Sequence, residues 1–365
     1  MNINTIFEYL DWRGDLSFDK SPFNDIDAAI LARFSYQPFD DIVKTAVRRT
    51  ISLESACVQM LNIPQLAKKV LYPDVDVLLI QKLYASERFK HLRLSCFVNE
   101  IDLQKQTQFS AITYSFGDGT YYVAFRGTDS TIIGWKEDFN MGFEFPVPAQ
   151  EMALKYFENV ATRLKDGTFI LGGHSKGGNL AIYASAFCKQ FMQNQIETIY
   201  NFDGPGFTED IMQTEEFKSI EKKIKTFVPQ FSIVGMILEY MEEYSVVKSV
   251  GSGIGQHELL TWELTKDSFV TLDKVDSGSR FFDDSFKRFL QSSNKDEREQ
   301  IVEMLYQIVS VGDATTINDI SENKFDSMLA AVKNFASIDD SSKRKVRDSL
   351  LRIVKDATKS HRSKK

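Results

Sequence analysis

The 365-residue sequence has three cysteines and four histidines. Cys57, Cys96 and Cys188 are widely spaced and odd in number, so they suggest neither a disulfide framework nor zinc-ligand spacing. Reduced, buried thiols of a cytoplasmic protein are the expectation. No run approaches the roughly 20 apolar residues that a membrane-spanning helix needs. Residues 1–18 carry early acidic residues and no basic-then-apolar signal segment. A soluble protein without a transmembrane segment is therefore expected. A basic stripe is also lacking. With 44 Lys and Arg against 51 Asp and Glu the formal charge is −7, which argues against a nucleic-acid partner. The one basic cluster, His361 to Lys365, reads as a solvated end or as a contact for an anionic membrane surface. Internal repeats, low-complexity linkers and metal-ligand clusters are missing too, so no metal or cofactor is expected.

Hydrophobic residues make up 43% of the chain and charged residues 26%, a globular composition. The length suits one large or two ordinary domains. The 29 phenylalanines suit either an aromatic acyl pocket or ordinary core filling. The first hundred residues look mainly helical, with apolar residues at helical spacing in Asp25 to Phe34 and Thr50 to Leu61. Two β-rich runs, Phe109 to Tyr114 and Tyr121 to Phe125, flank an Asp118-Gly119 hairpin signal. Beyond them a helix at Met152 to Leu164 and a strand at Thr168 to Gly172 are expected. A helix from Asn179 and a strand at Thr198 to Phe202 follow. Next come a helical stretch around Ile211 to Ile224 and strands at Lys225 to Val228 and near Ser245 to Val250. Such alternation signals a parallel sheet with helices on both faces. From Ser277 no strand signal remains, and the stripes Ile301, Leu305, Ile308 and Val346, Leu350, Val354 read as helix. The organisation expected is a domain over 1–276, with a helical N-terminal segment over 1–100 and a core over 101–276, followed by a helical C-terminal extension 277–365.

Gly173-His174-Ser175-Lys176-Gly177 has the Gly-x-Ser-x-Gly spacing of a nucleophile elbow, with an apolar strand before it and a helix after it. The chemistry requires that spacing. The serine sits in a strained turn, and the glycines let strand and helix pack closely. The turn lifts the hydroxyl to the positive end of the following helix. The Lys176 amide is then placed to donate to a developing oxyanion. The alternative reading is a structural glycine-rich turn.

Val123-Ala124-Phe125-Arg126-Gly127-Thr128, then Trp135 and Asp138, then Gly173 to Gly178 resemble the class 3 lipases of the α/β-hydrolase superfamily. The resemblance covers Thr107 to His257. The wider layout, from Trp12-Arg13-Gly14-Asp15 to Gln256-His257, is similar to a related bacterial family of hydrolase-like proteins. It implies an α/β-hydrolase fold with the oxyanion hole at the strand end, so that the Thr128 amide joins that of Lys176. Each such donor is worth about 3 to 4 kcal/mol when removed. It also implies a lid over Ile132 to Pro146, with Trp135 and Asp138 in its scaffold. Lys176 departs from the pattern, because lipases usually carry leucine there, which puts a strictly lipid substrate in doubt.

A serine nucleophile needs a general base. His174 adjoins the serine and should point elsewhere, His91 precedes the sheet, and His361 lies near the end. His257 follows the last strand, where this fold places its base, and Gly251-Ser252-Gly253 gives that loop reach. For the acid two readings stand. The loop after Lys225 to Val228 has no carboxylate, so Asp203 at the end of the preceding strand takes the role, or a Ser–His pair acts with Ser232 in the acid's place. As a bland alternative, Asp203 shapes its Asp-Gly-Pro-Gly turn. Trp135, Phe231 and Met236 are candidate substrate-binding residues, or else ordinary core. The leading expectation is a carboxylic-ester hydrolase acting on a small-molecule or lipid-like ester. A non-catalytic binding or regulatory module and a thioesterase or amidase are the alternatives, and the oligomeric state is left open.

Overall fold

The computed structural model describes residues 4–102, 107–128, 141, 145–232, 234–235, 243–251 and 253–276. The expected extension 277–365 lies outside the described residues, as do Trp135, Asp138 and Met236.

The N-terminal segment supplies four helices, α1 (Ile6–Arg13), α2 (Asp25–Phe34), α3 (Leu53–Leu61) and α4 (Pro73–Ala85). A reciprocal cap starts α2. Asn24 Oδ1 accepts the Ile26 and Asp27 amides at 2.9 and 3.1 Å, and Asp27 Oδ2 accepts the Asn24 amide at 3.0 Å. From Ile26 to Phe34 every residue is buried, so this helix needs protein on all sides. α4 opens on Pro73, whose missing N–H is not needed in a first turn.

Two corrections apply to this segment. Ile51–Ser52 form strand β1, so α3 starts later than the pattern from Thr50 suggests. Arg93–Asp102 form strand β2 inside the segment expected to be mainly helical. Its residues 94–97 are buried in succession, without alternation. Periodicity alone does not separate such a run from buried helix.

The remaining strands are β3 (Thr107–Ser115), β4 (Thr120–Phe125), β5 (Thr168–His174), β6 (Ile196–Phe202), β7 (Ile224–Pro229), β8 (Tyr244–Val247) and β9 (Thr271–Leu272). They form one sheet in chain order. β4 to β8 run parallel, while the pairings on both flanks are antiparallel. The expected hairpin joins β3 and β4, with Gly117 and Gly119 at φ 93° and 94°. The longer described helices between the parallel strands are α5 (Pro148–Arg163), α6 (Lys176–Phe187) and α7 (Glu215–Ile220), with single turns at Gln190–Gln193 and Glu209–Met212. α6 begins before the expected Asn179, because Gly177 and Gly178 belong to its first turn. The helix expected over 211–224 is instead a single turn, Glu209–Met212, followed by α7, and Ile224 already belongs to β7.

Parallel strands in sequential order, joined by right-handed crossovers, place all those crossovers on one face. The core divides accordingly. Ala153, Phe157, Leu180, Ala184 and Phe217 from α5 to α7 pack against Phe125, Phe169 and Leu171. On the other face Ile30, Phe34, Leu79 and Leu83 from the N-terminal helices cover Tyr122, Ile170 and Tyr200. The result is an α/β architecture, a mixed sheet with a parallel centre and helices over both faces, which is the mostly parallel, helix-flanked sheet that the α/β-hydrolase expectation requires.

One buried ion pair ties the N-terminal layer together. Arg88 Nη2 and Nε donate to the Asp27 carboxylate at 2.5 and 2.8 Å, and both side chains are fully buried. The guanidinium also donates to the carbonyls of Leu16, Ser21 and Pro22 at 3.2, 2.9 and 3.0 Å. Burial pushes the Asp27 carboxyl up and Arg88 pulls it back. Arg88→Met strands that carboxylate, so the expected loss of stability is about 3 to 5 kcal/mol by urea denaturation. A loss of about 0.5 kcal/mol, ordinary for surface sites, would contradict this account.

Candidate active site

The chain leaves β5 into a sharp turn at Ser175, with φ 58° and ψ −138°, and enters α6 at the next residue. Backbone in this region costs about 1 to 3 kcal/mol and persists only where the surroundings hold it. The Ser175 amide donates to the Phe202 carbonyl of β6 at 2.9 Å, and its carbonyl accepts from Gly178 at 2.9 Å. Gly177 is required by contact, since a Cβ there would lie 2.0 Å from the Phe125 carbonyl oxygen. Ser175 is buried beneath the strand ends, where ligands of open α/β sheets bind.

Asp203 directly follows β6, at φ 51°, and its amide donates to the Phe227 carbonyl of β7 at 2.8 Å. Its buried carboxylate accepts from both sides. His257 Nδ1 lies 2.6 Å from Oδ2, and the Ser232 hydroxyl donates to Oδ1 at 2.5 Å. Burial raises the carboxyl above its ordinary value, and the hydrogen bonds from His257, Ser232 and the Gly235 backbone pull it down. A carboxylate here holds the His257 proton on Nδ1 and leaves Nε2 as the basic nitrogen.

The loop carrying His257 is anchored at several points. Arg33 Nε, from α2, donates to Glu258 Oε1 at 2.8 Å, and Arg33 also pairs with Asp76 at 2.7 Å. Trp262 Nε1 donates to the Gln256 carbonyl at 2.9 Å. The Phe231 amide donates to Gln256 Oε1 at 3.0 Å, which brings Phe231 to the same loop. The His257 carbonyl lies 2.7 Å from His174 Nε2. Among the described residues no hydrogen bond joins the Ser175 hydroxyl to the His257 ring. Such bonds often tighten only once substrate is bound.

Gly127 lies just past the end of β4 at Phe125, and a Cβ on it would lie 2.8 Å from Ser175 Cβ. The backbone before Thr128 therefore passes against the Ser175 turn, and a Cβ on Gly177 would lie 3.0 Å from the Gly127 amide nitrogen. The Lys176 side chain is fully buried and its Nζ donates to the Gln108 carbonyl of β3 at 2.9 Å. Arg126 Nη2 donates to Asn99 Oδ1 at 2.9 Å and thereby ties the β4 exit to β2. Trp135 and Met236 lie outside the described residues. Among the described residues no group of His, Cys, Asp and Glu is placed to hold a metal ion. No described helix is long and apolar enough to cross a membrane.

Sequence reasoning does not single out Arg33 or Tyr36. Nothing local marks them, because their partners lie 225 and 138 residues away.

A family model described as Mbeg1-like matches residues 83–307. Among solved structures, lipase II from Rhizopus niveus is 14% identical, with 49% of this chain and 73% of that one covered and a TM-score of 0.33. The native Rhizomucor miehei lipase propeptide complex is 13% identical, with 51% and 64% covered and a TM-score of 0.34. No curated protein matches the chain.

Burial and the neighbouring His257 hold the His174 imidazole well below its ordinary value of 6.5. The unfolded chain takes up a proton below that value and the folded chain does not. Stability from this group is thus complete above 6.5 and lost as the pH falls. In urea titrations between about pH 7 and about pH 5, His174→Gln is expected to flatten the loss by up to about 1.4 kcal/mol per pH unit. Parallel slopes in the two proteins would show that His174 is protonated in the fold.

Proposed function

The chain belongs to the Mbeg1-like family, and from that premise we propose that it is a serine hydrolase that cleaves carboxylic esters. The observation that carries this reading is the 2.6 Å contact between His257 and buried Asp203, beside a strained serine turn. A buried carboxylate against one imidazole nitrogen orients the ring and stabilises the imidazolium, and the other nitrogen serves as base.

The steps follow from those positions. Ser175 Oγ attacks the ester carbonyl carbon while its proton passes to His257 Nε2. The oxyanion accepts from the Lys176 and Thr128 amides, which are preorganised at a helix start and a strand exit. The tetrahedral intermediate breaks its bond to the alcohol oxygen, and that oxygen takes the proton from His257. Water then attacks the acyl-enzyme with His257 again as base, and the acid leaves as the Ser175 proton is restored. No metal or cofactor enters any step. Ser232 acts as the donor that holds the second Asp203 oxygen, and Asp203 is the acid.

Phe231 contributes to the substrate site from the loop that Gln256 holds, and the substrate is a small-molecule or lipid-like ester rather than nucleic acid. A cytoplasmic setting fits the three buried, unpaired cysteines, with the Cys57 and Cys188 thiols pushed up to about 12 by burial. Thioester and amide cleavage use the same machinery and differ in the pocket.

Fluorophosphonate labelling in the presence of detergent tests the reading. The wild type is expected to label, Ser175→Ala and His257→Ala to fail, and Asp203→Asn to slow by about 10⁴-fold because the wrong imidazole tautomer is held. A folded wild type that stays unlabelled would favour the non-catalytic module.

A further inference from the structure

His174 precedes the nucleophile, yet its side chain is engaged with the base. Its ring is buried and lies 4.4 Å from the His257 ring, tilted by 38°. Nε2 is 2.7 Å from the His257 carbonyl oxygen, which accepts only, so Nε2 carries the hydrogen. Nδ1 therefore presents a lone pair to the Tyr36 hydroxyl, which lies 3.1 Å from it and 3.4 Å from the His174 carbonyl oxygen, so the shorter contact takes the hydrogen. Tyr36 stands just beyond α2, and Arg33 on that helix holds Glu258, the neighbour of His257, at 2.8 Å.

The geometry points to Tyr36 and His174 as positioning residues for the base: the tyrosine hydroxyl sets the His174 tautomer, and His174 Nε2–H holds the backbone of His257. This inference rests on the reading of His257 as the base for Ser175. Asp203 orients the imidazole, but an orienting bond to a ring fixes it only if the backbone carrying that ring is itself held. His174 supplies that restraint from the residue adjoining the nucleophile, so nucleophile and base share one rigid connection. With the other tautomer, two lone pairs would face each other across 2.7 Å. The tyrosine hydroxyl, which can donate to a bare nitrogen, selects against that state.

The neutral form matters as well. The groups facing His174 are Tyr36 and Arg33 from the end of α2 and His257 from the loop across it. Burial, His257 and Arg33 all press it toward the neutral form, against the one hydrogen bond to the His257 carbonyl. A charged ring there would oppose the imidazolium that His257 becomes on taking the serine proton.

Steady-state ester hydrolysis and proton NMR of the full chain test the inference together. His174→Phe keeps a flat aromatic ring, somewhat larger than the imidazole, and removes both nitrogens. It is expected to lower kcat by about 10- to 100-fold with little change in KM, the size of a small misplacement of a reacting group. Tyr36→Phe gives a smaller loss of the same kind. His174→Gln keeps an amide donor for the carbonyl and an acceptor for Tyr36, and restores most of the rate. The downfield Nδ1 proton of His257 is sharp in the wild type and in His174→Gln, and is broadened or lost in His174→Phe. A folded His174→Phe or Tyr36→Phe with wild-type kcat, or with an unchanged downfield proton, overturns the inference, as does a His174→Gln no better than His174→Phe. Ser175→Ala run alongside separates the failures. Turnover that survives Ser175→Ala defeats the serine-hydrolase reading. An inert Ser175→Ala with a fully active His174→Phe defeats this inference alone. The NMR readout decides between the variants even for a chain without ester turnover.

Discussion

The described helices that join β4 to β7 pack on one side of the sheet, and the apolar face opposite them requires a second cover. The N-terminal helices supply it, and most other features follow from that arrangement. Because α2 lies between the sheet and the other N-terminal elements and is buried from Ile26 to Phe34, it bears no solvent-facing stripe there, and its polar residues must find partners inside the protein. Asp27 meets Arg88, and Arg33 meets Asp76 and Glu258. The second of these meetings fixes the loop that carries His257. A packing requirement at the back of the sheet thereby becomes a restraint at the edge that carries the proposed site.

At that edge the sheet gathers residues that the chain keeps far apart. Ser175 follows β5, Asp203 follows β6, and His257 comes in after β8, so all three stand at the same edge of the sheet, with His257 Nδ1 2.6 Å from Asp203. Each is held by more than its own element. The Ser175 amide bonds to β6 and the Asp203 amide to β7. Both residues sit at positive φ, strain that neighbouring strands sustain through those bonds. A carboxylate buried this completely is tolerable because His257, Ser232 and the Gly235 backbone all donate to it.

The legible and illegible features of this architecture divide by range. The Ser175 turn is visible in the sequence because strand, glycines and helix stand next to one another, and the Asp118-Gly119 hairpin is visible for the same reason. His257 emerges by its place in chain order. Asp203 is one of two readings in the sequence, and the structure sets its carboxylate between His257 and Ser232. What stays hidden depends on contacts across the fold. Residues 94–97 of β2 are buried in succession, across a register shift between Ser95 and Val98, and so lack the alternation that marks a strand. The stretch before β7 breaks into short turns that apolar spacing alone merges into one helix. Tyr36 reaches His174 over 138 residues and Arg33 reaches Glu258 over 225, and no local pattern encodes either meeting. Adjacency to the serine suggests that His174 points away from its chemistry; its ring instead lies against that of His257.

The central claim is that Ser175 carries the acyl group, and the most direct measurement is the mass of the protein during turnover of a slowly deacylating activated ester. The account predicts a burst of alcohol together with a mass gain of one acyl group in place of one hydrogen, located on the peptide that contains Ser175 and missing in Ser175→Ala. Turnover without an adduct, or an adduct on any other peptide, would contradict it.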